Sequence, residues 1–346
     1  MIQEYNYLPI NKVVYGERAT SKINSIISSL GMKNALVLTS SSVSRTTSFN
    51  GFLNSLGIEF SLNSQITQHS PLAEIEHATE QYRNNDCDSI ISVGGGSVID
   101  AAKVLRYYHN IDAQQIAIPT TLSAAEFSHI AGYSLGGEKN GIRDKKITPQ
   151  TAILDPYMTA ETPERLWRST GIRSLDHAVE TLIHPNMLDV SRKAALEAIR
   201  MLASNLHERT MGSRLECQMG AWYSYWQVYD SPMGISHTLG KIIGARYEIP
   251  HGITSCITLP KVMEYYAELY PGPMKEIASS ISGKRPEDEE PGNAAFLMKN
   301  LIESLGFHET LAKYEVGKDQ ADRIYGSIGN PEDWHRNLIE DLLNEK

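Results

Sequence analysis

Short apolar runs alternate with helix-like repeats through the first half of the 346-residue chain. Segments 19–31 and 72–85 carry apolar residues at spacings of three and four, which predicts amphipathic helices. Four apolar runs are typical of buried strands and lie at 34–41, 89–95, 114–121 and 151–156. Because strands that alternate with helices form parallel sheets with flanking helices, the pattern predicts an α/β domain over residues 1–157.

Strand-like runs end near residue 158, and only helix-like repeats follow. A charged, proline-bearing stretch at 282–293 predicts an exposed connection. The chain is longer than a single core usually grows, so two domains are expected. We therefore predict an all-α second domain over residues 158–346, with helices at 164–184, 191–210, 217–230, 257–270, 294–306 and 332–346.

Charge and composition exclude several classes of protein. A net charge of −9 argues against a nucleic-acid partner, which usually requires a basic face. No run approaches the length of about 20 apolar residues that spans a bilayer, and the first residues lack the pattern of a signal peptide. Cys87, Cys217 and Cys256 lie far apart, which favours reduced thiols and a cytoplasmic location.

A triple-glycine turn at 94–96 joins a predicted strand to a predicted helix. Glycines allow backbone N–H groups to approach a pyrophosphate, and the helix beginning near Ser97 directs its positive end at the anion. Asp100 and Lys103 follow on the first turns of that helix. The motif differs from the Rossmann G-x-G-x-x-G pattern, so a tight turn without a ligand is the alternative.

Hydroxyl side chains strengthen the prediction of a ligand site. Thr120, Thr121, Leu122 and Ser123 follow the strand at 114–119, at the carboxyl end where open α/β sheets bind ligands. In the second half, Arg173 and His177 share a helix face at a spacing of four. Two further histidines lie fourteen residues apart, and spacing alone does not separate a site from a structural role; they are His237 and His251.

The segments VGGGSVIDAAK, IPTTLSAAE, DPYMTAETP, GIRSLDHAVE and HTLGKIIGARYEIPHG resemble the iron-containing (group III) alcohol dehydrogenases. The resemblance implies a dinucleotide-binding α/β domain, a helical domain, an active site in the cleft between them, and a homodimer. It also implies contacts to a nicotinamide dinucleotide: pyrophosphate at Gly94, Gly95, Gly96 and Ser97, with Asp100 beside them; nicotinamide near Thr120, Thr121 and Leu122; and adenosine near Thr39 and Ser40.

The family's metal is held by an aspartate and three histidines, which the resemblance matches to His177, His237 and His251. Arg173 stands at the position of the aspartate, and Lys241 at that of a further histidine. An arginine about 5 Å from a divalent ion costs roughly 7 kcal/mol at an effective dielectric of about 20. That energy corresponds to about five decades of affinity. We therefore expect metal-independent chemistry; the three histidines would hold a metal if one binds.

Within the family, segment 121–147 resembles the maleylacetate reductases, a branch that also lacks the aspartate and is regarded as metal-independent. That branch usually carries asparagine at the position of Arg173 and histidine at that of Lys241, so both differences add positive charge. The predicted function is NAD(P)H-dependent reduction of the carbonyl of a small anionic substrate.

Roles follow from what hydride transfer to a carbonyl requires. We assign alkoxide stabilisation to His177 and Arg173, and proton donation to His237 or His251, because histidine titrates near neutral pH. Candidates for binding the substrate, mainly its carboxylate, are Arg173, Lys241, Arg246, Arg143 and Ser123, although solvated surface positions are the alternative for Lys241, Arg246 and Arg143.

Choice between NAD(H) and NADP(H) stays open, because Thr39, Ser40 and Ser41 supply no acidic residue for the ribose and Arg45 lies nearby. Two other functions also stay open. One is a metal-dependent (Fe or Zn) alcohol dehydrogenase or aldehyde reductase, and the other is a catalytically silent dinucleotide-binding protein. A lyase of the related dehydroquinate synthase type is less favoured, because its metal-binding pattern differs.

Overall fold

A computed structural model describes residues 2–226 and 234–345. Within these ranges there are eight strands: β1 Lys12–Tyr15, β2 Asn34–Leu38, β3 Glu59–Asn63, β4 Ser89–Gly94, β5 Gln114–Pro119, β6 Ile130–Leu135, β7 Glu138–Arg143 and β8 Thr151–Leu154. The helices of the first half are α1 Ile23–Leu30, α2 Thr47–Asn54, α3 Leu72–Asn84 and α4 Gly96–Tyr108. Those that follow are α5 Glu164–Ile183, α6 Asp189–Asn205, α7 Met211–Ser224, α8 Ile235–Arg246, α9 His251–Leu269, α10 Pro271–Ser282, α11 Pro291–Ser304, α12 Ala321–Tyr325 and α13 Asp333–Asn344.

Six strands form one parallel sheet in the order β1-β8-β5-β4-β2-β3. Apolar side chains alternate between its two faces. Leu36 and Leu38 belong to a core that includes residues of α3 and α4, whereas Ala35 and Val37 belong to a core that includes residues of α1 and α2. The predicted parallel sheet with helices on its faces, followed by a helical region, is confirmed. Strands β6 and β7 form a separate antiparallel hairpin.

Several elements differ from the predicted pattern. The sequence did not predict α2, α8, α10, the short helix α12, the edge strands β1 and β3, or the hairpin. Helix α9 begins at His251, six residues before the predicted helix, and α7 begins six residues before its own predicted start. Residues 227–230 of that predicted helix lie outside the described residues. The predicted loop at 282–293 contains a 3-10 turn, Pro286–Asp288, and the first residues of α11.

The chain divides into two compact units, and each unit combines segments that are not consecutive in the sequence. The unit containing the sheet is Ile2–Pro163 with Arg209–Met219, and the helical unit is Glu164–Glu208 with Gly220–Lys346. Arg214 of α7 joins the sheet unit by donating from Nη1 to the carbonyl of Thr159 at 2.8 Å. The domain boundary at 157/158 stays a prediction. No helix in the described residues has the length and apolar character needed to cross a membrane.

Candidate functional site

The glycine turn lies where β4 ends and α4 begins. Gly95 is the N-cap residue of α4 and has no side chain to bond the first N–H groups. A Cβ at Gly94 would lie 2.7 Å from Cγ2 of Val98. A Cβ at Gly95 would lie 3.1 Å from Cγ2 of Thr121, and one at Gly96 would lie 3.1 Å from Oγ of Ser123. The structure therefore brings the turn against the 120–123 segment, and the close approach explains the glycines.

A further contact and one unsatisfied hydroxyl mark the same place. The N–H of Thr120 donates to the carbonyl of Gly94 at 2.9 Å. Thr121 is 5% exposed, and its buried Oγ1 has no hydrogen-bond partner within the described residues. Because buried hydroxyls are nearly always bonded, the orphaned Oγ1 fits a polar ligand at this turn. Leu122 is fully buried beside it in the sequence.

The other predicted cofactor residues already have partners. Thr39 is fully buried, and its Oγ1 donates to the carbonyl of Val93 at 2.7 Å. Ser40 Oγ accepts from the N–H of Val43 at 3.3 Å. Ser97 Oγ accepts from the N–H of His69 at 3.1 Å. The bond from Thr39 joins the carboxyl ends of β2 and β4, and those of Ser40 and Ser97 fix the loops beside them. Direct contact of these three residues with a cofactor stays a prediction.

Asp100 has both carboxylate oxygens occupied. Oδ1 accepts from Nζ of Lys103 at 3.2 Å, and Oδ2 accepts from the N–H of Gly132 at 3.0 Å. Arg143 ends β7 and is exposed. Cofactor binding by Asp100 and carboxylate binding by Arg143 or Ser123 stay predictions.

Arg173 is the centre of a buried cluster in the helical unit. It extends from α5, and its Nη1 donates to Oδ2 of Asp176 and to Oγ of Ser255, each at 2.9 Å. Ser255 Oγ in turn donates to the same Oδ2 at 2.7 Å. Nη2 lies against both ring nitrogens of His237, at 3.0 Å from Nε2. One guanidinium thus joins residues of α5, α8 and α9.

The rings of His177 and His237 are neutral near pH 7. Ring centroids of His177 and His237 are 5.6 Å apart. Burial lowers the pKa of both rings well below 6.5, and the positive charges of Arg173 and Lys241 lower it further. His251, the first residue of α9, lies within electrostatic reach of both rings. The structure therefore gathers Arg173, His177 and His237, with Lys241 and His251 acting on them.

The two cations of α8 differ from Arg173 in exposure. Lys241 and Arg246 are both exposed, and Arg246 lies in the last turn of the helix. The predicted surface alternative and the predicted carboxylate-binding role both remain compatible with that exposure. What distinguishes Lys241 is its electrostatic effect on the two buried histidine rings.

Sequence reasoning did not predict three polar residues of the cluster as site residues, namely Asp176, Glu180 and Ser255. Glu180 Oε1 accepts from the N–H of His237 at 3.1 Å and so caps the start of α8. Burial raises the pKa of Glu180 well above 4.5, and the charge of Asp176 raises it further. The helix-face signal could have revealed Asp176 and Glu180, which follow Arg173 by three and seven residues. Ser255 carries no local signal, because it lies 82 residues from Arg173.

A divalent metal does not fit these residues. The guanidinium of Arg173 lies on the ring nitrogens of His237 that a metal would need. Within residues 2–226 and 234–345, no three His, Cys, Asp or Glu side chains are grouped to hold an ion. A metal cation bound to His237 would lie beside the guanidinium of Arg173, and the two positive charges would repel each other strongly.

Comparisons with known proteins agree with the motifs. Residues 10–156 match the family model described as iron-containing alcohol dehydrogenase, and residues 168–345 match the C-terminal model of the same family. Maleylacetate reductase 1 of Cupriavidus pinatubonensis is 29% identical over 345 residues, covering 96% of this chain and 94% of that protein. Maleylacetate reductase of Sphingobium indicum is 27% identical over 334 residues, covering 94% and 91%.

A solved structure extends this similarity to the fold. The crystal structure of maleylacetate reductase from Agrobacterium tumefaciens superposes with a TM-score of 0.87 at 25% identity, covering 99% of this chain and 97% of that one. The predicted resemblance to that branch and the prediction of a nicotinamide-dependent oxidoreductase are therefore confirmed. By both family models, the chain belongs to the iron-containing alcohol dehydrogenase family.

Proposed function

We propose that this protein uses NAD(P)H to reduce the carbonyl of a small anionic substrate, and that it does so without a divalent metal. The observation that carries the proposal is the guanidinium of Arg173, which is held by Asp176 and Ser255 and turned toward His237. Relatives named maleylacetate reductase support a carboxylate-bearing substrate for this chain as well.

The dinucleotide is assigned to the glycine turn and the segment after β5. N–H groups at the start of α4 would bind the pyrophosphate, and the orphaned Oγ1 of Thr121 would supply a hydroxyl on the nicotinamide side. When bound, the reduced nicotinamide supplies a hydride to the carbonyl carbon. The protein's own groups must then stabilise the alkoxide and provide a proton.

Arg173 is proposed to stabilise the developing alkoxide. Its Nη1 is fixed by two buried oxygens, so the orientation of the guanidinium is set before substrate arrives. A preorganised cation in a buried site stabilises negative charge more strongly than the same cation in water. The neutral ring of His177 adds an N–H donor without adding a charge that would repel Arg173.

His251 is proposed as the proton donor, in preference to His237. The depressed pKa of His237 means that its ring carries no extra proton at neutral pH, and its nitrogens face Arg173. His251 is half-buried at the start of α9, where exchange with solvent can restore a transferred proton. The exposed Lys241 and Arg246 are proposed to attract the substrate carboxylate.

Steady-state oxidation of NADH and NADPH with a panel of keto acids and aldehydes tests the proposal. We expect turnover that is faster with anionic keto acids than with neutral aldehydes and that is unchanged after treatment with a chelator. Elemental analysis of the same preparation should find no stoichiometric iron or zinc. Activity that vanishes on chelation and returns with zinc or iron would overturn the metal-independent mechanism.

Cofactor binding measured beside turnover separates the enzyme from a silent dinucleotide-binding protein. Binding of NADH or NADPH with no turnover on any substrate of the panel would favour the silent protein. The homodimer and the cytoplasmic location stay predictions.

A further inference from the structure

We propose that Lys103 is a positioning residue for the dinucleotide, because it fixes segment 120–132 against the helix that begins with the glycine turn. The inference rests on the proposed cofactor site.

The ammonium of Lys103 is fully buried and fully bonded. Its exposure is 0%, and Nζ donates to Oδ1 of Asp100 at 3.2 Å, to the carbonyl of Ala125 at 2.6 Å and to the carbonyl of Ile130 at 3.0 Å. An ammonium has three N–H donors, so these three acceptors use all of them. No donor is left for a ligand, and Lys103 therefore acts through the chain that it holds.

Asp100 adds one more hydrogen bond between α4 and the segment. While Oδ1 bonds Lys103, Oδ2 accepts from the N–H of Gly132 at 3.0 Å. One ion pair on the second turn of α4 thus holds the backbone at positions 125, 130 and 132. Charge-assisted hydrogen bonds of this kind are among the stronger ones in proteins.

The segment held in this way has little regular structure of its own. Between the end of β5 and the start of β6 it contains only a 3-10 turn, Ala125–Phe127, preceded by Ala124 at φ 58°. A non-glycine residue in the left-handed region needs its surroundings to hold it there. Since the large sheet does not extend into segment 120–132, the bonds from Lys103 and Asp100 tie the segment to α4, beside the apolar packing of Ala125 and Ala131 with residues of that helix.

Segment and turn together form the proposed cofactor site, but they serve different ends of the dinucleotide. The turn is assigned to the pyrophosphate, and Thr120–Leu122 at the start of the segment to the nicotinamide side. Loss of Lys103 should release the segment after Thr120, while Thr120 stays bonded to the turn through its N–H and the carbonyl of Gly94. The expected signature is weaker binding of NADH with little change in the binding of ADP, which lacks the nicotinamide half.

Arg106 supplies a matched control on the same helix. It is also buried, and its guanidinium also donates to backbone carbonyls, those of Ile147 at 3.1 Å and Lys146 at 3.0 Å. Those carbonyls belong to the turn after β7, not to segment 120–132. Replacing Arg106 removes a comparable buried cation without touching the proposed cofactor site.

The test compares NADH and ADP affinities, by calorimetry, of the wild type, Lys103→Met and Arg106→Met. For Lys103→Met we expect the NADH dissociation constant to rise about tenfold and that of ADP to stay within about twofold. Arg106→Met should lower the melting temperature but leave the ratio of the two constants as in the wild type. Lys103→Gln, which keeps two donors, should fall between the wild type and Lys103→Met, and it serves if the methionine variant does not fold.

Equal losses for NADH and ADP in the Lys103 variants would overturn the inference, as would an altered ratio in Arg106→Met. A wild type that binds NADH but reduces no substrate contradicts the proposed function while leaving this comparison valid. A wild type that binds no dinucleotide overturns both.

Discussion

Lys103 and Arg173 are buried cations of the two units, and they are satisfied in different ways. Lys103 is fully enclosed, and two of its three acceptors are backbone carbonyls. Arg173 is 7% exposed, and its partners are side chains of Asp176, Ser255 and His237. A cation bonded to carbonyls fixes the path of the chain, whereas one bonded to side chains fixes an arrangement of chemical groups.

Both cations also act on buried neighbours that titrate, with opposite outcomes. Near Lys103, burial raises the pKa of Glu126 to about 7, and the positive charge of Lys103 opposes that rise. Near Arg173, burial lowers the pKa of His177 and His237, and the charge of Arg173 lowers it further. Lys103 therefore favours the charged form of its buried neighbour Glu126, against the effect of burial. Arg173 favours the neutral form of both histidines, in the same direction as burial.

The largest expected effect is that of Arg173→Met, which leaves the carboxylate of Asp176 buried without its cation. We expect the free energy of unfolding in urea to fall by about 3–5 kcal/mol, the usual result of breaking a buried ion pair. The double variant Arg173→Met with Asp176→Asn should recover most of that loss but none of the turnover. A single variant with wild-type turnover would remove Arg173 from the mechanism and from the comparison.

Glu126→Gln tests the pKa of the buried carboxyl near Lys103 through the pH dependence of the unfolding free energy. A carboxyl whose pKa rises from 4.5 to about 7 on folding is more stable protonated, so the wild type loses stability as pH rises from 4.5 through 7. Glutamine stays neutral. The variant should exceed the wild type by about 3 kcal/mol in unfolding free energy at pH 8 and match it near pH 4.5. Glu208→Gln, at an exposed position, should change neither value by more than about 0.5 kcal/mol. Equal stabilities of Glu126→Gln and wild type at pH 8 would contradict the assigned shift.

Gly95→Ala affects the close contact between turn and segment that Lys103 preserves. The new Cβ would lie 3.1 Å from Cγ2 of Thr121, so the segment must give way. We expect NADH affinity to fall about tenfold, equivalent to about 1.4 kcal/mol. Gly51→Ala in α2, where a Cβ would meet nothing within 4 Å, should leave affinity unchanged and add up to about 1 kcal/mol of stability. Unchanged affinity in Gly95→Ala would mean that the turn does not need this contact.

The smallest effect is expected for Ser255→Ala. It removes one acceptor from Nη1 of Arg173 and one donor to Asp176, but the ion pair survives. Unfolding in urea should show a loss of about 1 kcal/mol, and turnover should fall less than in Arg173→Met. A loss of turnover as large as that of Arg173→Met would assign Ser255 a more direct role than supporting the guanidinium.

How far the sequence predicted each region depends on the distance over which its contacts act. The strand, glycine turn and helix at 89–105 are local, so their order could be read directly. Partners of Arg173 are not local: Ser255 comes from another helix, and only tertiary packing brings it to the guanidinium. The motif resemblance supplied the histidines but not the polar residues that hold Arg173.

Missed secondary structure has equally specific causes. Edge strand β3 is largely exposed and lacks the continuous apolar run of a buried strand. Helix α10 begins with Pro271, and Pro273 follows within its first turn. Proline usually interrupts a helix, but the first turn tolerates it, because the N–H that it lacks has no intrahelical partner there. A prediction in which every proline ends a helix therefore misses a helix such as α10.

The interleaved course of the chain has a consequence for synthesis. Because Arg209–Met219 completes the sheet unit, that unit stays unfinished on the ribosome until residue 219 has emerged, after the first 45 residues of the helical unit, Glu164–Glu208, have been made. A fragment ending at residue 163 would leave Thr159 without the bond from Arg214. A single cut of the chain therefore leaves at least one of the two units without all of its residues.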